Sequence, residues 1–220
     1  MRSIHPKFAR TGPVPLMFPW RQILLGLVCG LVLIGNAPAA QGEATALVRD
    51  SSERMLKALE SRRAEITRNP KAIFPLVESI VLPHFDFEKI TQIAVGKAWG
   101  DATGKQQRDL IAEFREVLIR TYAKSLLNYS GQAIRYLPEQ PGKQPSTVTV
   151  STEVREAGGQ TFPIDYRLYE KGGRYKVYDV VVDRVSLVSN YRSSFAAQIR
   201  QGGIDGLIGR LKQMNTKGEG

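Results

Sequence analysis

Apolar positions along this chain change their period from helical to alternating and back again. Between residues 43 and 66, Leu47, Met55, Leu56 and Leu59 recur at mixed helical spacing among charged residues until Asn69-Pro70 breaks the pattern. That spacing predicts an amphipathic helix washed by solvent along its polar side. A second helix is predicted over 71–81, with Ile73, Leu76, Val77 and Ile80 on one face and Pro83 as its stop. Short helical turns are expected through Phe85, Phe87, Ile90, Ile93 and Val95 toward Trp99. Thr103, followed three residues later by Gln106, forms a capping box that opens the clearest helix in the sequence. It is expected to run over 103–129, with Ile111, Phe114, Leu118, Tyr122, Ser125 and Tyr129 along one side.

After Gly131 the apolar residues alternate, and glycine pairs mark the turns. Four strands are predicted, over 133–137, 147–154, 161–170 and 175–183. Gly158-Gly159 and Gly172-Gly173 make the last three an antiparallel meander. With even-numbered residues on one face, Phe162, Ile164, Tyr166 and Leu168 lie beside Tyr178, Val180 and Val182 as a broad apolar surface. The helical period then returns over 185–200 and, after Gly202-Gly203, over 204–214. The fold class is therefore α+β: N-terminal helices, a four-stranded antiparallel twisted sheet and C-terminal helices.

Charge divides the chain differently. All 21 acidic residues lie at Glu43 or later, whereas the first 40 residues carry Arg2, Lys7, Arg10 and Arg21, followed by twelve uncharged residues from Ile23 to Ile34. A run this short falls below the 18 or so residues needed to span a bilayer, and Ala37-Pro38-Ala39 supplies small residues for a signal peptidase. Residues 1–40 thus read as a cleavable signal peptide, 41–216 as a single domain and 217–220 as a flexible tail. Met17 offers a second start that would give a leader of ordinary length. Without residues 1–40, 27 of the 31 basic residues and all 21 acids remain, so the net charge falls from +10 to +6. Cys29 leaves with the leader and His84 is the one histidine left. Disulfides, thiol nucleophiles and Cys or multi-His metal sites are excluded for the exported part, and a metal or other cofactor is not expected.

Little else in the chain reads as reactive chemistry. GDATGKQ at Gly100 imitates a phosphate-binding loop, but its glycines stand one residue too close and Gln106 replaces the Mg-binding hydroxyl. A three-residue turn at Gly172-Gly173 would set Asp165 opposite Asp179, where two carboxylates can share a proton. Arg167 and Arg174 are near enough to make this a salt-bridge cluster instead, and a shift of one residue in register would separate the pair. Ser186 and Ser189 stand where a strand gives way to a helix, but there is no G-x-S-x-G elbow, and a helix cap accounts for Ser186. His84 beside Pro83 reads as a surface or capping residue, not a general base. Basic residues are scattered without an aromatic platform, so nucleic acid is not an expected partner, and no heptad run demands an oligomer, which leaves a monomer as the expectation. Phe114, Leu118, Tyr122, Tyr166, Val180 and Val182, with Val185, Tyr191 and Phe195, form either a filled core or the wall of a ligand cavity; pattern alone favours the filled core.

Several stretches carry a family resemblance. VYDVVVDRVSLVSNYRSSF at 177–195, followed by GGIDGLIGRL at 202–211, resembles the MlaC family of periplasmic phospholipid-carrying proteins, also known as toluene-tolerance proteins. LPHFDFEKI at 82–90, GKAWGDATGKQQ at 96–107 and FREVLIRTYAKSLLNYSGQ at 114–132 match in the same order. The resemblance implies an NTF2-like sheet and a helical lobe enclosing an apolar cavity that buries phospholipid tails and leaves the headgroup in solvent. It implies a periplasmic location, a bound phospholipid as cargo and no enzymatic activity. Its implied partners are an inner-membrane ABC transporter with MCE domains and an outer-membrane complex of a lipoprotein with a porin. Mapped onto this chain, the expected tail contacts are Trp99, Phe114, Leu118, Tyr122, Ile164 and Tyr166, together with Val180, Val182, Val185, Tyr191 and Phe195. Lys97, Arg115 and Arg192 are the expected headgroup contacts.

Overall fold

The computed structural model describes residues 42–128, 131–155 and 159–217. The expected signal peptide, Tyr129 and residues 218–220 of the expected tail lie outside them. Four helices precede the long central one: α1 (Glu43–Ser61), α2 (Arg63–Arg68), α3 (Ile73–Ile80) and α4 (Phe87–Val95), with α5 (Gly104–Ala123) next. Single 3-10 turns at Pro70–Ala72, Leu82–His84, Gly96–Trp99 and Lys124–Asn128 join or extend them. The sheet follows as β1 (Ala133–Tyr136), β2 (Gln140–Pro141), β3 (Thr147–Arg155), β4 (Thr161–Lys171), β5 (Arg174–Val182) and β6 (Val185–Ser186), and α6 (Leu187–Lys217) closes the described chain.

The α+β class stands as read from the sequence, with six strands in place of four. The two added strands are pairs of residues: β2 forms on β3 just before its turn, and β6 folds back on β5. Among the described residues the strands all pair antiparallel, in the order β1-β3-β4-β5-β6, and a single parallel bridge joins Phe85 to Val177 of β5. The helix expected over 43–66 is interrupted at Arg62, whose φ of −109° and ψ of 15° separate α1 from α2. The helix expected over 71–81 starts as a 3-10 turn behind Asn69, whose side chain accepts the Lys71 amide. Its four predicted apolar positions, Ile73, Leu76, Val77 and Ile80, are all buried. α5 carries the predicted capping box, with the Thr103 and Gln106 side chains each accepting the other's backbone N–H at 3.3 and 2.9 Å. It ends at Ala123, six residues short of the expectation, where the chain tightens into a 3-10 turn.

Gly158 of the first glycine pair lies outside the described residues, and the other two pairs do what their sequence suggested. Gly172 and Gly173 both have positive φ, at 59° and 75°, and connect Lys171 to its partner Arg174. This is a two-residue hairpin turn of the kind whose twist suits the flanking strands, and only residues free to adopt left-handed conformations fill it without strain. Gly203, with φ 65° and ψ −167°, breaks the helical backbone inside α6 where the sequence predicted a boundary.

Turn length and one bulge decide the register of β4 against β5. A two-residue turn pairs Leu168 with Val177, and left alone it would pair even with odd residues throughout. Tyr178 is the extra residue of a bulge, after which Arg167 faces Asp179, Tyr166 faces Val180 and Ile164 faces Val182. Tyr166 and Ile164 therefore share a face with Val180 and Val182 as expected, but each pairs two residues further along β5 than the three-residue turn would set it. The expected Asp165–Asp179 pair is not: Asp165 faces Val181, and Asp179 is bonded to Arg167 at 2.9 Å. The shared-proton geometry is removed and a salt bridge stands in its stead.

Buried residues gather in three clusters. Ile90, Leu110, Phe114, Leu118, Phe195 and Leu211 represent the first, between α4, α5 and α6. Met55, Leu59, Ile73 and Val77 form a second with Ile119 and Ala123, at the other end of α5. The third joins Ala44 and Val48 of α1 to Val150, Leu168 and Val177 of the sheet. Because α5 serves two clusters, it is buried on more than the single side predicted: Leu110, Val117 and Ile119 are buried beside Phe114 and Leu118. Among the described residues no helix is long and apolar enough to cross a membrane.

Candidate ligand cavities between sheet and helices

Between the three clusters, space remains. The larger cavity, of about 470 Å³, lies between α1 and the sheet. α1 contributes Leu47, Val48 and Met55, and the sheet contributes Ile134, Val154, Ile164, Tyr166 and Val177. Its polar lining comes from Ser51, Ser52, His84, Ser125, Asn128 and Gln132. The smaller cavity, of about 230 Å³, lies between α3, α4, α5 and the far end of β5. Val77, Ile90, Leu118 and Tyr122 meet Tyr166, Val180 and Val182 there, and among the described residues Asp179 is the one charged residue on its wall. The two cavities share Val81, Phe85, Leu126 and Tyr166.

Three carboxylates fix the helices around this space. Glu139, in the connection between β1 and β2, accepts from the Thr45 backbone N–H at 3.1 Å and the Thr45 hydroxyl at 3.2 Å, which anchors the first turn of α1. Gly42 is the residue that lets it approach, since a Cβ there would lie 2.3 Å from the Glu139 carboxylate. Asp86 caps α4 through the Lys89 N–H at 3.0 Å and accepts from the Tyr169 hydroxyl and from Lys171 at 2.6 Å, both on β4. Burial pushes its carboxyl pKa up, but the bonds from Lys171, Tyr169 and the Lys89 amide outweigh this and hold it below the usual value. Asp179 accepts from Arg167, from the Ser186 hydroxyl at 2.7 Å and from the Val188 N–H at 3.1 Å, so it holds the start of α6 against β5. Ser186 in turn accepts the Ser189 N–H at 3.1 Å, the capping role read from the sequence.

Titration in the cavities is dominated by burial. Burial pushes the Tyr166 and Tyr122 phenols up to about 12, so both remain neutral hydroxyls at ordinary pH. His84 is half-buried in the larger cavity; burial, followed by the cations of Lys176 and Arg54, lowers its pKa despite nearby Asp50.

The predicted tail contacts divide into three groups. Ile164 and Tyr166 line the larger cavity, and Leu118, Tyr122, Tyr166, Val180 and Val182 line the smaller one. Phe114 is fully buried, and its ring meets Tyr191 and Phe195 edge-on at 4.8 and 4.9 Å; Trp99 packs against the same cluster. These four lie behind the cavity wall. Val185, 59% exposed, stands at the β5–β6 turn and lines neither cavity. Of the predicted headgroup cations, Arg115 pairs with Glu78 at 3.1 Å and stands over the Phe87 ring, while the Arg192 guanidinium lies against Gly96, next to exposed Lys97. None of the three lines a cavity.

The sequence reading missed the wall contributed by α1. Its signal was present in Leu47 and Val48, one helical turn before Ser51 and Ser52 and two before Met55, but those serines interrupt the apolar stripe and made the face read as solvated. Val154, Phe85 and Leu126 were also missed as wall residues.

An antiparallel sheet covered by helices, with apolar space left between the layers and the helix ends tied down by carboxylates, defines a carrier-type binding protein whose ligand is largely apolar. Comparison with known proteins narrows this. Residues 49–213 match the MlaC protein family, and the chain belongs to it. It is 22% identical over 193 residues to the intermembrane phospholipid transport system binding protein MlaC of Haemophilus influenzae, covering 86% of this chain and 90% of that protein. It is 27% identical over 162 residues to the toluene tolerance protein ttg2D of Pseudomonas putida, covering 72% and 74% respectively. The fold matches the structure of the phospholipid-binding protein of Ralstonia solanacearum in complex with a phospholipid, with a TM-score of 0.74 and 30% identity, over 81% of this chain and all of that one.

Proposed function

We propose that this protein is a periplasmic phospholipid carrier, exported by cleavage of residues 1–40, that moves single lipids between the outer and inner membranes and so maintains outer-membrane lipid asymmetry. One observation carries the proposal: two adjoining apolar cavities lie between the sheet and the helices, in a fold shared with a protein seen holding a phospholipid. Leu118, Tyr122, Ile164, Tyr166, Val180 and Val182 would face the acyl chains, with Phe114, Tyr191, Phe195 and Trp99 supporting that wall from behind.

Physical chemistry says why such a carrier is needed. A diacyl lipid exposes roughly 30 methylenes at about 0.8 kcal/mol each, so the free monomer is scarce in water and spontaneous transfer between membranes is slow. Burying the chains removes that cost without covalent chemistry, and no enzymatic step is proposed. Tight burial makes release the difficult step, and a partner that binds an opened form better would supply it. The partners proposed are an inner-membrane ABC transporter with MCE domains, which would supply any energy, and an outer-membrane lipoprotein–porin complex. The carrier is proposed to act as a monomer. Native mass spectrometry of protein purified from the periplasm without detergent should find a stoichiometric phospholipid; lipid-free protein throughout would defeat the reading.

A further inference from the structure

The two cavities meet at one side chain of the sheet. Tyr166 lies within β4, opposite Val150 on β3 and Val180 on β5, and it lines both cavities. On the helical side the same divide is made by Val81, Phe85 and Leu126. Bulk alone accounts for an aromatic ring at this position, and phenylalanine would supply it. The hydroxyl has no such account. Among the described residues no side-chain or backbone group is bonded to it, and Tyr166 is only partly buried, so it faces the space of the cavities. A ligand that fills both cavities displaces water from this hydroxyl and has to offer an acceptor in its place. Because burial raises its pKa to about 12, it stays a neutral donor at ordinary pH.

A ligand that satisfies this hydroxyl must present an acceptor where two apolar volumes meet, with an apolar chain leading away on each side. The surroundings add a direction. The larger cavity has the polar lining of Ser51, Ser52, His84 and Gln132, whereas the Asp179 carboxylate of the smaller one is already engaged by Arg167, Ser186 and the Val188 amide. A diacyl glycerolipid has the required shape: two ester carbonyls at the branch point from which its chains diverge. Free fatty acids have an acceptor but one chain, and dialkyl ether lipids have two chains but no carbonyl.

We propose that Tyr166 is the ester anchor of the cavity, its hydroxyl donating to an ester carbonyl of the bound lipid while one acyl chain passes to each side of its ring. This rests on the phospholipid-carrier reading and makes Tyr166 a specificity-determining residue that reads how the chains are linked. The headgroup plays no part in that recognition.

The test is a thermodynamic cycle on the delipidated mature protein. Affinities of wild type and Tyr166→Phe are measured for a diacyl phosphatidylcholine and for the dialkyl ether lipid with the same chains and headgroup, by displacement of a fluorescent lipid. The substitution keeps the ring and removes only the hydroxyl, so the cycle isolates its coupling to the carbonyl. Wild type should prefer the ester lipid by roughly fivefold more than the variant does, the worth of one neutral hydrogen bond. Binding of the ether lipid should be the same in both proteins. Equal ester-to-ether ratios in the two proteins, whether affinity is kept or lost, would overturn the anchor and leave the ring as a space filler. Failure of wild type to bind either lipid would instead overturn the carrier reading, and the anchor with it.

Discussion

Removing the Asp179 carboxylate should loosen the junction between the sheet and α6. Asp179 is 4% exposed and receives three hydrogen bonds, from Arg167, from Ser186 and from the backbone of Val188. It also sits at the N-terminal end of α6, where a negative charge is favoured by the free backbone N–H groups. In Asp179→Ala the three donors fare differently. Arg167, 39% exposed, turns to water at little cost, and Ser186 can reorient while it still caps Ser189. The Val188 N–H bond lies in a buried setting, so that donor is left unsatisfied at about 1–3 kcal/mol, and a charge-assisted bond worth about 1.5–3 kcal/mol is lost as well. The sum is about 3 kcal/mol, at the low end for breaking a buried ion pair because its cationic partner is half in water. For a domain of this size that corresponds to a fall in Tm of about 6–12 °C. Asp179→Asn, which keeps one acceptor oxygen, should lose about half as much. Ser186→Ala, which removes one bond to Asp179 and the cap of Ser189, should lose about 1 kcal/mol. Urea denaturation with an unchanged m-value, alongside calorimetry, measures all three. A loss for Asp179→Ala no larger than that for Ser186→Ala would refute the reasoning, because it would mean that the carboxylate does not hold the junction.

Two further outcomes follow from the site geometry. Asp86 has a depressed folded-state pKa, so its contribution is fully present above the unfolded value of about 3.9 and lost as pH falls through the folded value. Asp86→Asn should therefore lower stability at pH 7 and flatten the acid limb below about pH 4; a stability–pH curve parallel to that of wild type would contradict this. Val182→Asp places a carboxylate on the wall of the smaller cavity, opposite Ile164, whereas Val185→Asp alters an exposed turn that lines neither cavity. Co-purifying lipid should drop severalfold in the first and stay at the wild-type level in the second, measured by extraction and mass spectrometry; equal loading of the two variants would count against the cavity assignment.

The different fates of these two valines show where sequence reading stops. Val182 and Val185 occupy equivalent apolar positions in VVVDRVSLV, and nothing local separates them. They differ because Asp183 and Arg184, at φ 47° and 67°, turn the chain back so that the pair sits across the β5–β6 ladder, and only Val182 reaches the cavity. Phe114 and Tyr166 present the same problem. Both are aromatic residues on apolar faces, yet one is core and the other cavity wall, a distinction set by how closely a helix approaches the sheet. The features legible in the sequence were local ones: the stripe of α3, the Thr103–Gln106 box, the glycine turns and the Ser186 cap each depend on residues within a few positions. The Asp165–Asp179 pairing was not of this kind. It depended on a turn of two residues where three had been read, and on a bulge at Tyr178 that no residue type announces.

A layered fold that keeps space between its layers faces a mechanical difficulty. Across a void, atoms lack partners and dispersion contacts are forfeited, so packing alone tends to draw the layers together. In this protein the filled clusters stand to the sides of the cavities, and three of the helices that border the space are held to the sheet region through polar bonds near their N-terminal ends. Glu139 holds α1, Asp86 holds α4 and Asp179 holds α6, each a carboxylate placed where unpaired backbone N–H groups need an acceptor. Hydrogen bonds suit this role better than apolar contacts because their strength depends on distance and direction, so they fix a separation instead of rewarding further closure. They also leave the apolar surface of β4 and β5 available to a ligand. On this view Asp179, which first suggested catalysis, joins Glu139 and Asp86 in setting the dimensions of the cavity, and the chemistry of binding is left to the apolar wall and the hydroxyl of Tyr166.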